Sequence, residues 1–236
     1  MSKLNILAFG AHPDDVELGC GGTLLSHVAT GKKIGIINLT RGELGTRGTP
    51  EIREEESAEA AKLIGAETRE NLGFEDGFFK NSKENQLKVI EVIRKYQPDI
   101  VIAPAIEDRH PDHGRASKLI SEACFLAGLL KIKLTTSEPW RPKAVYHYIQ
   151  FRSHITPNLV VDISDFQEKK MEAIKVHKSQ FYDPDSVEPE TLIAQKGFLD
   201  LIEARALEYG TQIGVKYGEG FTTERYLGVK DLTHLL

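Results

Sequence analysis

An apolar strand that leads into a His-Pro-Asp turn occurs twice in this chain of 236 residues, and the repetition limits the fold more than any other feature. Residues 4–9 form a short apolar run with the length and flanks of a buried strand, which breaks at Gly10 into Ala11-His12-Pro13-Asp14-Asp15. Pro13 fixes its own φ, lacks an N–H and biases His12 toward extended backbone, so one imidazole and two carboxylates sit on a stiff turn. Residues 99–103 give a second apolar strand, followed by 104–108 and then Arg109-His110-Pro111-Asp112-His113. Side by side in a parallel sheet, the two strands bring both turns to the carboxyl edge, where open α/β sheets bind ligands.

The rest of the chain alternates the same two signals. Leu24, Leu25 and Val28 mark one helical face, ended by Gly31; residues 33–39 read as a strand, and TRGELGTRGT at 40–49 as a glycine-punctuated loop. Thr49 and Pro50 open a helix as N-cap and first position, and Glu51, Glu54, Glu55 and Glu56 crowd its positive end. That helix stops at Gly65, and the stretch around GFEDG at 73–77 reads as an unpatterned link. Asn81 and Glu84 are spaced as a capping box for a helix with Leu87, Ile90 and Ile93 on one face. A helix is expected over 113–130, strands at 144–149 and 159–163, and a helix carrying 170–177 behind a Ser164 and Gln167 capping box. A long helix over 190–209 and a strand over 222–229 complete the reading. The fold class predicted is α/β: a Rossmann-like, mostly parallel sheet flanked by helices, with a smaller and less regular C-terminal α/β part, in one domain over 1–236.

Composition narrows the partners. A formal net charge of −5 without a local basic cluster argues against nucleic acid and for a small-molecule ligand. Cys20 and Cys124 are the two cysteines, each in an apolar or glycine-rich setting, which points to packing rather than a disulfide framework. Met1-Ser2-Lys3 leads straight into the first strand, and no apolar segment is long enough for a signal peptide or a membrane span. A cytoplasmic protein without membrane contact is the expectation.

The two turns carry the chemistry. A catalytic zinc takes three protein ligands and leaves a position open. His12, one of Asp14 and Asp15, and His113 supply such a set, and the remaining carboxylate is free to act as a base. Asp112 is expected to orient His110 and favour its protonated form, suited to an oxyanion or a leaving amine. His27, His147, His154, His177 and His234 have no comparable acids nearby in sequence. Gly19, Gly21 and Gly22 lie too late for a dinucleotide fingerprint, because the strand-to-helix turn itself holds Asp14 and Asp15, so they are read as packing glycines.

These residues resemble the LmbE-like, PIG-L-related zinc-dependent N-acetylglucosamine deacetylases. The resemblance rests on AHPDD at 11–15, TRGELGTRG at 40–48, Arg53 with Glu56, LGFEDG at 72–77, HPDH at 110–113 and HKSQ at 177–180, and looks strongest toward the bacillithiol-biosynthesis deacetylases of Bacillus. It implies one Zn2+ per chain on His12, Asp15 and His113, with Asp14 as general base. It assigns oxyanion stabilisation to His110 with Asp112 behind it, and substrate binding to Arg53. Arg109 is a candidate for an acidic aglycone; some members place a tyrosine just before the second motif, where this chain has Glu107-Asp108-Arg109. Two histidines and a carboxylate also suit iron, cobalt or manganese. The implied activity is removal of acetate from an N-acetylglucosaminyl conjugate, N-acetylglucosaminyl malate above all, by a homo-oligomer that in relatives reaches a hexamer. Alternatives are a deacetylase of free N-acetylglucosamine or chitooligosaccharides, a thiol-conjugate amidase, and a non-enzymatic metal or sugar-nucleotide binding module.

Overall fold

The computed structural model describes residues 3–134, 138–151 and 155–234, so Met1, Ser2 and His154 lie outside the described residues, as does the His234 side chain. A parallel strand covered on both faces needs successive apolar side chains rather than alternation. Ile6–Gly10 (β1) and Ile34–Thr40 (β2) are buried at every position and pair in parallel. Ile100–Ala103 (β4) pairs with the other side of β1, and Ala144–Tyr148 (β5) with β4, both in parallel. Thr68–Phe74 (β3) adds to β2 in parallel, while Gly218–Thr223 (β7) runs antiparallel between β5 and Leu159–Asp162 (β6). The order is β3-β2-β1-β4-β5-β7-β6, so the irregular second half extends the same sheet.

Helices cover both faces. Leu7 and Phe9 of β1 point into a core shared with Lys83–Tyr96 (α3) and Pro111–Ala127 (α4). Ile6 and Ala8 point into a second core with Asp15–Ala29 (α1), the end of Pro50–Ile64 (α2) and Gln167–Lys175 (α5). Phe198–Gln212 (α6) packs with Ile174 and Phe181 in a third, smaller cluster. Because the chain leaves β1 toward β2 on one side and returns to β4 on the other, the sheet order reverses between β1 and β4. The crevice opened there is the expected ligand position.

The glycines after the first turn have the packing role expected of them. A Cβ on Gly19 would fall 2.1 Å from the ring of Tyr148, whose hydroxyl donates to the Phe9 carbonyl at 3.0 Å. At Cys20 the α1 backbone leaves helical geometry (φ −147°), and the helix resumes with Gly22 and Thr23 donating their N–H groups to the Glu219 carboxylate at 3.0 and 2.7 Å. Glu219 is itself paired with Lys170 at 2.6 Å, both buried. Cys20 and Cys124 are free and buried.

Several boundaries differ from the sequence reading, each for a local reason. The first part of the stretch read as a link, Thr68–Phe74, is β3, an edge strand half open to solvent, which needs no apolar pattern. Ser82, not Asn81, caps α3, accepting from Asn85 N–H, and α4 starts at Pro111 on His110 as N-cap, ending at Ala127. Ser164 caps no helix: its hydroxyl accepts from the N–H groups of Lys216 and Tyr217, and α5 follows Phe166. The helix expected over 190–209 is a single turn at Leu192–Ala194, an extended Gln195, and then α6 from Phe198. The last strand is β7, four residues earlier than expected at its start, where Gly218 and Gly220 permit close approach to Tyr209.

Removing Lys170 leaves the Glu219 carboxylate buried without its cation, which typically costs about 3–5 kcal/mol. Lys170→Met is therefore expected to lower unfolding free energy by about that amount in urea titrations monitored by circular dichroism.

Candidate active site

Both turns lie at the crevice between β1 and β4. Asp14 occupies the N-cap position of α1 and His110 that of α4, so the first helical turns carry Asp15, Asp112 and His113 toward one another. Asp15 joins the two loops. Its Oδ2 lies 3.4 Å from His12 Nδ1 and accepts the His12 backbone N–H at 2.8 Å, while Oδ1 lies 3.1 Å from His113 Nε2. The rings of His12, His110 and His113 are within 4.6–5.4 Å of one another between centroids.

A second set of side chains holds the far side of each imidazole. His12 Nε2 faces Asp76 Oδ1 at 3.2 Å and Asp112 Oδ2 at 3.5 Å. His113 Nδ1 meets Asp108 Oδ2 at 2.6 Å, and Gln150 Nε2 donates to Asp15 Oδ1 at 2.9 Å. Burial opposes charge on His12, yet its hydrogen bonds to the Asp112, Asp15 and Asp76 carboxylates hold its pKa well above the ordinary imidazole value. Burial also opposes ionisation of Asp15 and Asp76; the imidazoles of His113 and His12 keep Asp15 well below the carboxylate range, and His12 brings Asp76 to about 2. The crevice therefore holds ionised carboxylates around a point that calls for positive charge.

Arg53 is buried, 4% exposed, and two of its three nitrogens are engaged: Nη1 donates to the Gly42 carbonyl at 3.0 Å and Nη2 lies 3.4 Å from Asp14 Oδ1. Gly42, with φ +67°, leaves no room for a side chain there, since a Cβ would fall 1.9 Å from Arg53 Nη1. The helical partner Glu56 instead accepts from Ser179. Arg109 stacks over the Phe151 ring at 4.7 Å to its centroid and lines the same cavity, whose volume is about 230 Å³.

The predicted residues His12, Asp14, Asp15, Arg53, Arg109, His110 and His113 all line that cavity. The expected partnership of Asp112 with His110 takes a different form. The Asp112 carboxylate is fully buried against Arg115 and the Gly77 N–H at 2.8 Å, and meets His110 through its own backbone N–H, which donates to Nδ1 at 3.3 Å. That contact places the proton of a neutral His110 on Nε2. Burial and the charges of His12 and His113 push His110 below the usual imidazole value.

Sequence reasoning passed over Asp76, Asp108 and Gln150, and the acids beside two other histidines: Glu224 lies 3.1 Å from His147 Nε2 and Glu17 lies 3.7 Å from His177 Nε2. Asp76 and Asp108 stand in quoted motifs or beside them, but only the fold brings them to an imidazole.

The donor chemistry fits a divalent metal. His12 and His113 each turn one nitrogen to Asp15 and the other to a further carboxylate, as metal-binding histidines do. His12 with His110 and His113, and His12 with Asp76 and Asp112, are each groups whose ligand atoms lie within 4.8 Å of one another.

Comparison with known proteins places the chain in a family. Residues 7–124 match the family model PIG-L, described as GlcNAc-PI de-N-acetylase. A diacetylchitobiose deacetylase of Thermococcus kodakarensis is 31% identical, over 98% of this chain and 88% of its own. A probable N-acetyl-alpha-D-glucosaminyl L-malate deacetylase 2 of Bacillus anthracis is 24% identical over 76% of this chain and 83% of its own. The crystal structure of the conserved protein TT1542 from Thermus thermophilus superposes with a TM-score of 0.85 at 40% identity, over 96% of this chain and 98% of that one. Fold and relatives together define the class, an N-deacetylase and so an amide hydrolase on a mostly parallel α/β sheet. The chain belongs to the PIG-L family.

Asp108→Asn weakens the hold on His113 without removing a donor from the crevice. It is expected to lower zinc affinity about 10–100-fold, measured by competition with a chromophoric chelator, while the melting temperature of the metal-free protein changes little.

Proposed function

We propose that this chain is a metal-dependent deacetylase that removes acetate from N-acetylglucosaminyl conjugates, with His12, Asp15 and His113 holding a Zn2+ and the 236 residues acting as one catalytic domain. The observation that carries the reading is a spare carboxylate: Asp14 lines the cavity beside the donor cluster and is fastened by Arg53 rather than by an imidazole. When bound, the cation supplies a Lewis acid for a carbonyl and acidifies water. Asp14 takes a proton from the attacking water, and Arg53 keeps its carboxylate aimed into the cavity. His110 donates from Nε2 to the amide oxygen as negative charge develops there, its other nitrogen being held by the Asp112 N–H. Water adds to the acetamide carbon, the C–N bond breaks, and the proton held at Asp14 passes to the leaving amine. The products are acetate and the free amino sugar.

The finer substrate reading is N-acetylglucosaminyl malate in bacillithiol biosynthesis. Arg109 supports it, as the cavity's guanidinium outside the Asp14 contact, and the Bacillus anthracis relative points the same way. Arg53 adds no support, because its donors face Asp14 and Gly42. Diacetylchitobiose is the competing substrate, supported by the longer match to the Thermococcus enzyme. We take the protein to work in the reducing cytoplasm, in keeping with its two free cysteines, and as a homo-oligomer, as the family resemblance implies. Among the described residues no helix is long and apolar enough to cross a membrane.

Acetate release from N-acetylglucosaminyl malate, diacetylchitobiose and N-acetylglucosamine, with stripped and zinc-restored protein, tests both levels. Stripping is expected to abolish turnover and zinc to restore it, and Asp14→Asn to lower kcat about 10²–10⁴-fold with metal retained. Full activity of Asp14→Asn refutes the base assignment, and retained zinc without turnover of any sugar returns the binding-module reading. For Arg109→Ala the expectation is a raised KM for the malyl glycoside and an unchanged KM for diacetylchitobiose; equal changes remove malate from the reading.

A further inference from the structure

The HKSQ stretch has no part in the chemistry above, yet three segments meet on it. Glu56 of α2 accepts the backbone N–H and the hydroxyl of Ser179, each at 2.7 Å. The Ser179 carbonyl accepts from Arg47 Nε at 2.9 Å, and Gln180 Nε2 donates to the Arg47 carbonyl at 2.8 Å. From there the Arg47 guanidinium reaches into the irregular segment 183–191. Its Nη2 donates to Ser186 Oγ at 2.9 Å and Nη1 to the Pro189 carbonyl at 3.4 Å, while Glu188 lies 3.8 Å from Nε and accepts the Gly48 N–H at 2.9 Å. Arg47 is 5% exposed, a buried cation whose three nitrogens all have partners on these two segments.

The segment so fastened leads into the single turn Leu192–Ala194, whose Ile193 lines the cavity with Gln180, Leu44 and Gly45. An irregular segment has no ladder of its own to fix it, so its place depends on such side-chain bonds, and those from a charged donor are the stronger kind. The groups that would meet an acetamide stand instead on the ends of β1 and β4 and the first turns of α1 and α4.

We infer that Arg47 is a positioning residue for specificity: it holds the 183–194 segment as a wall of the cavity and thereby sets affinity for whatever a conjugate carries beyond its N-acetylglucosamine ring. The inference rests on the deacetylase reading. Arg47 touches no reacting group, so its loss acts on binding of the extended substrate and not on the hydrolytic step.

The test compares wild type with Arg47→Ala, Arg47→Lys and Ser186→Ala. Rates are measured on diacetylchitobiose and on N-acetylglucosamine, and equilibrium binding on the deacetylated products, the glucosamine dimer and glucosamine. Arg47→Ala is expected to raise KM for the disaccharide about tenfold, with its kcat and the monosaccharide KM within about twofold of wild type. Arg47→Lys restores part of the loss, because an ammonium returns the charge without the fork. Ser186→Ala, which removes one bond and keeps the buried cation, shifts the disaccharide KM about threefold the same way and stands in if Arg47→Ala fails to fold. Equal losses on both sugars, a fall in kcat alone, or no change overturns the inference. A wild-type protein that releases acetate from neither sugar, nor from N-acetylglucosaminyl malate, removes the deacetylase reading instead. Product binding then decides on Arg47: weaker binding of the dimer alone supports it, and equal change in both overturns it.

Discussion

The bridge that Asp15 makes between His12 and His113 is the constraint on which the rest of the site depends. One carboxylate faces imidazoles from two loops that are about a hundred residues apart in sequence, so β1 and β4 must be neighbours and in parallel for it to exist. Burial of all three groups makes the arrangement demanding, since ionised groups inside a protein need partners on every side. The surrounding acids Asp76, Asp108 and Asp112 meet that demand by holding the outer nitrogen of each imidazole. A pre-arranged cluster of this kind is what a metal site requires, because ligands left to find their own orientation lose affinity.

How much of this could be read from the chain follows from where each interaction lies in sequence. The first four parallel strands other than β3 were legible because buried parallel strands are continuous apolar runs, and the His-Pro-Asp turns announced what those strands deliver. β3 was not legible, since TRENLGF at an edge need bury only part of itself. The Ser164 cap failed because its hydroxyl has a tertiary partner: Ser164 matches a capping box in spacing, but the N–H groups of Lys216 and Tyr217, 52 and 53 residues on, take its oxygen.

The site shows the same division. His12, Asp15, His110 and His113 lie inside two short motifs, so local wording sufficed to nominate them. Asp76 and Asp108 were hidden because a carboxylate that orients an imidazole carries no local pattern; its meaning comes from a distance of about 3 Å. Arg53 illustrates the harder case. Helix spacing offers it Glu56, and chemistry offers it a substrate carboxylate, but Gly42 and Asp14 hold it, while Glu56 is bound to Ser179.

These assignments separate the site into a rigid part and a fastened part. The acids and imidazoles of the crevice are fixed by strand ends and helix first turns, whose own backbone bonds set their geometry. The wall bearing Ile193 has no such scaffold and is tied down by Arg47 through Ser186 and Pro189, with Glu56 and Ser179 behind it. Sequence change in the wall can therefore alter what is bound without disturbing what is hydrolysed, whereas change at Asp76, Asp108 or Arg53 reaches the chemistry at once. On this reading, relatives that share the crevice can act on different conjugates, as the names of the diacetylchitobiose and the glucosaminyl malate deacetylases differ in substrate and agree in reaction.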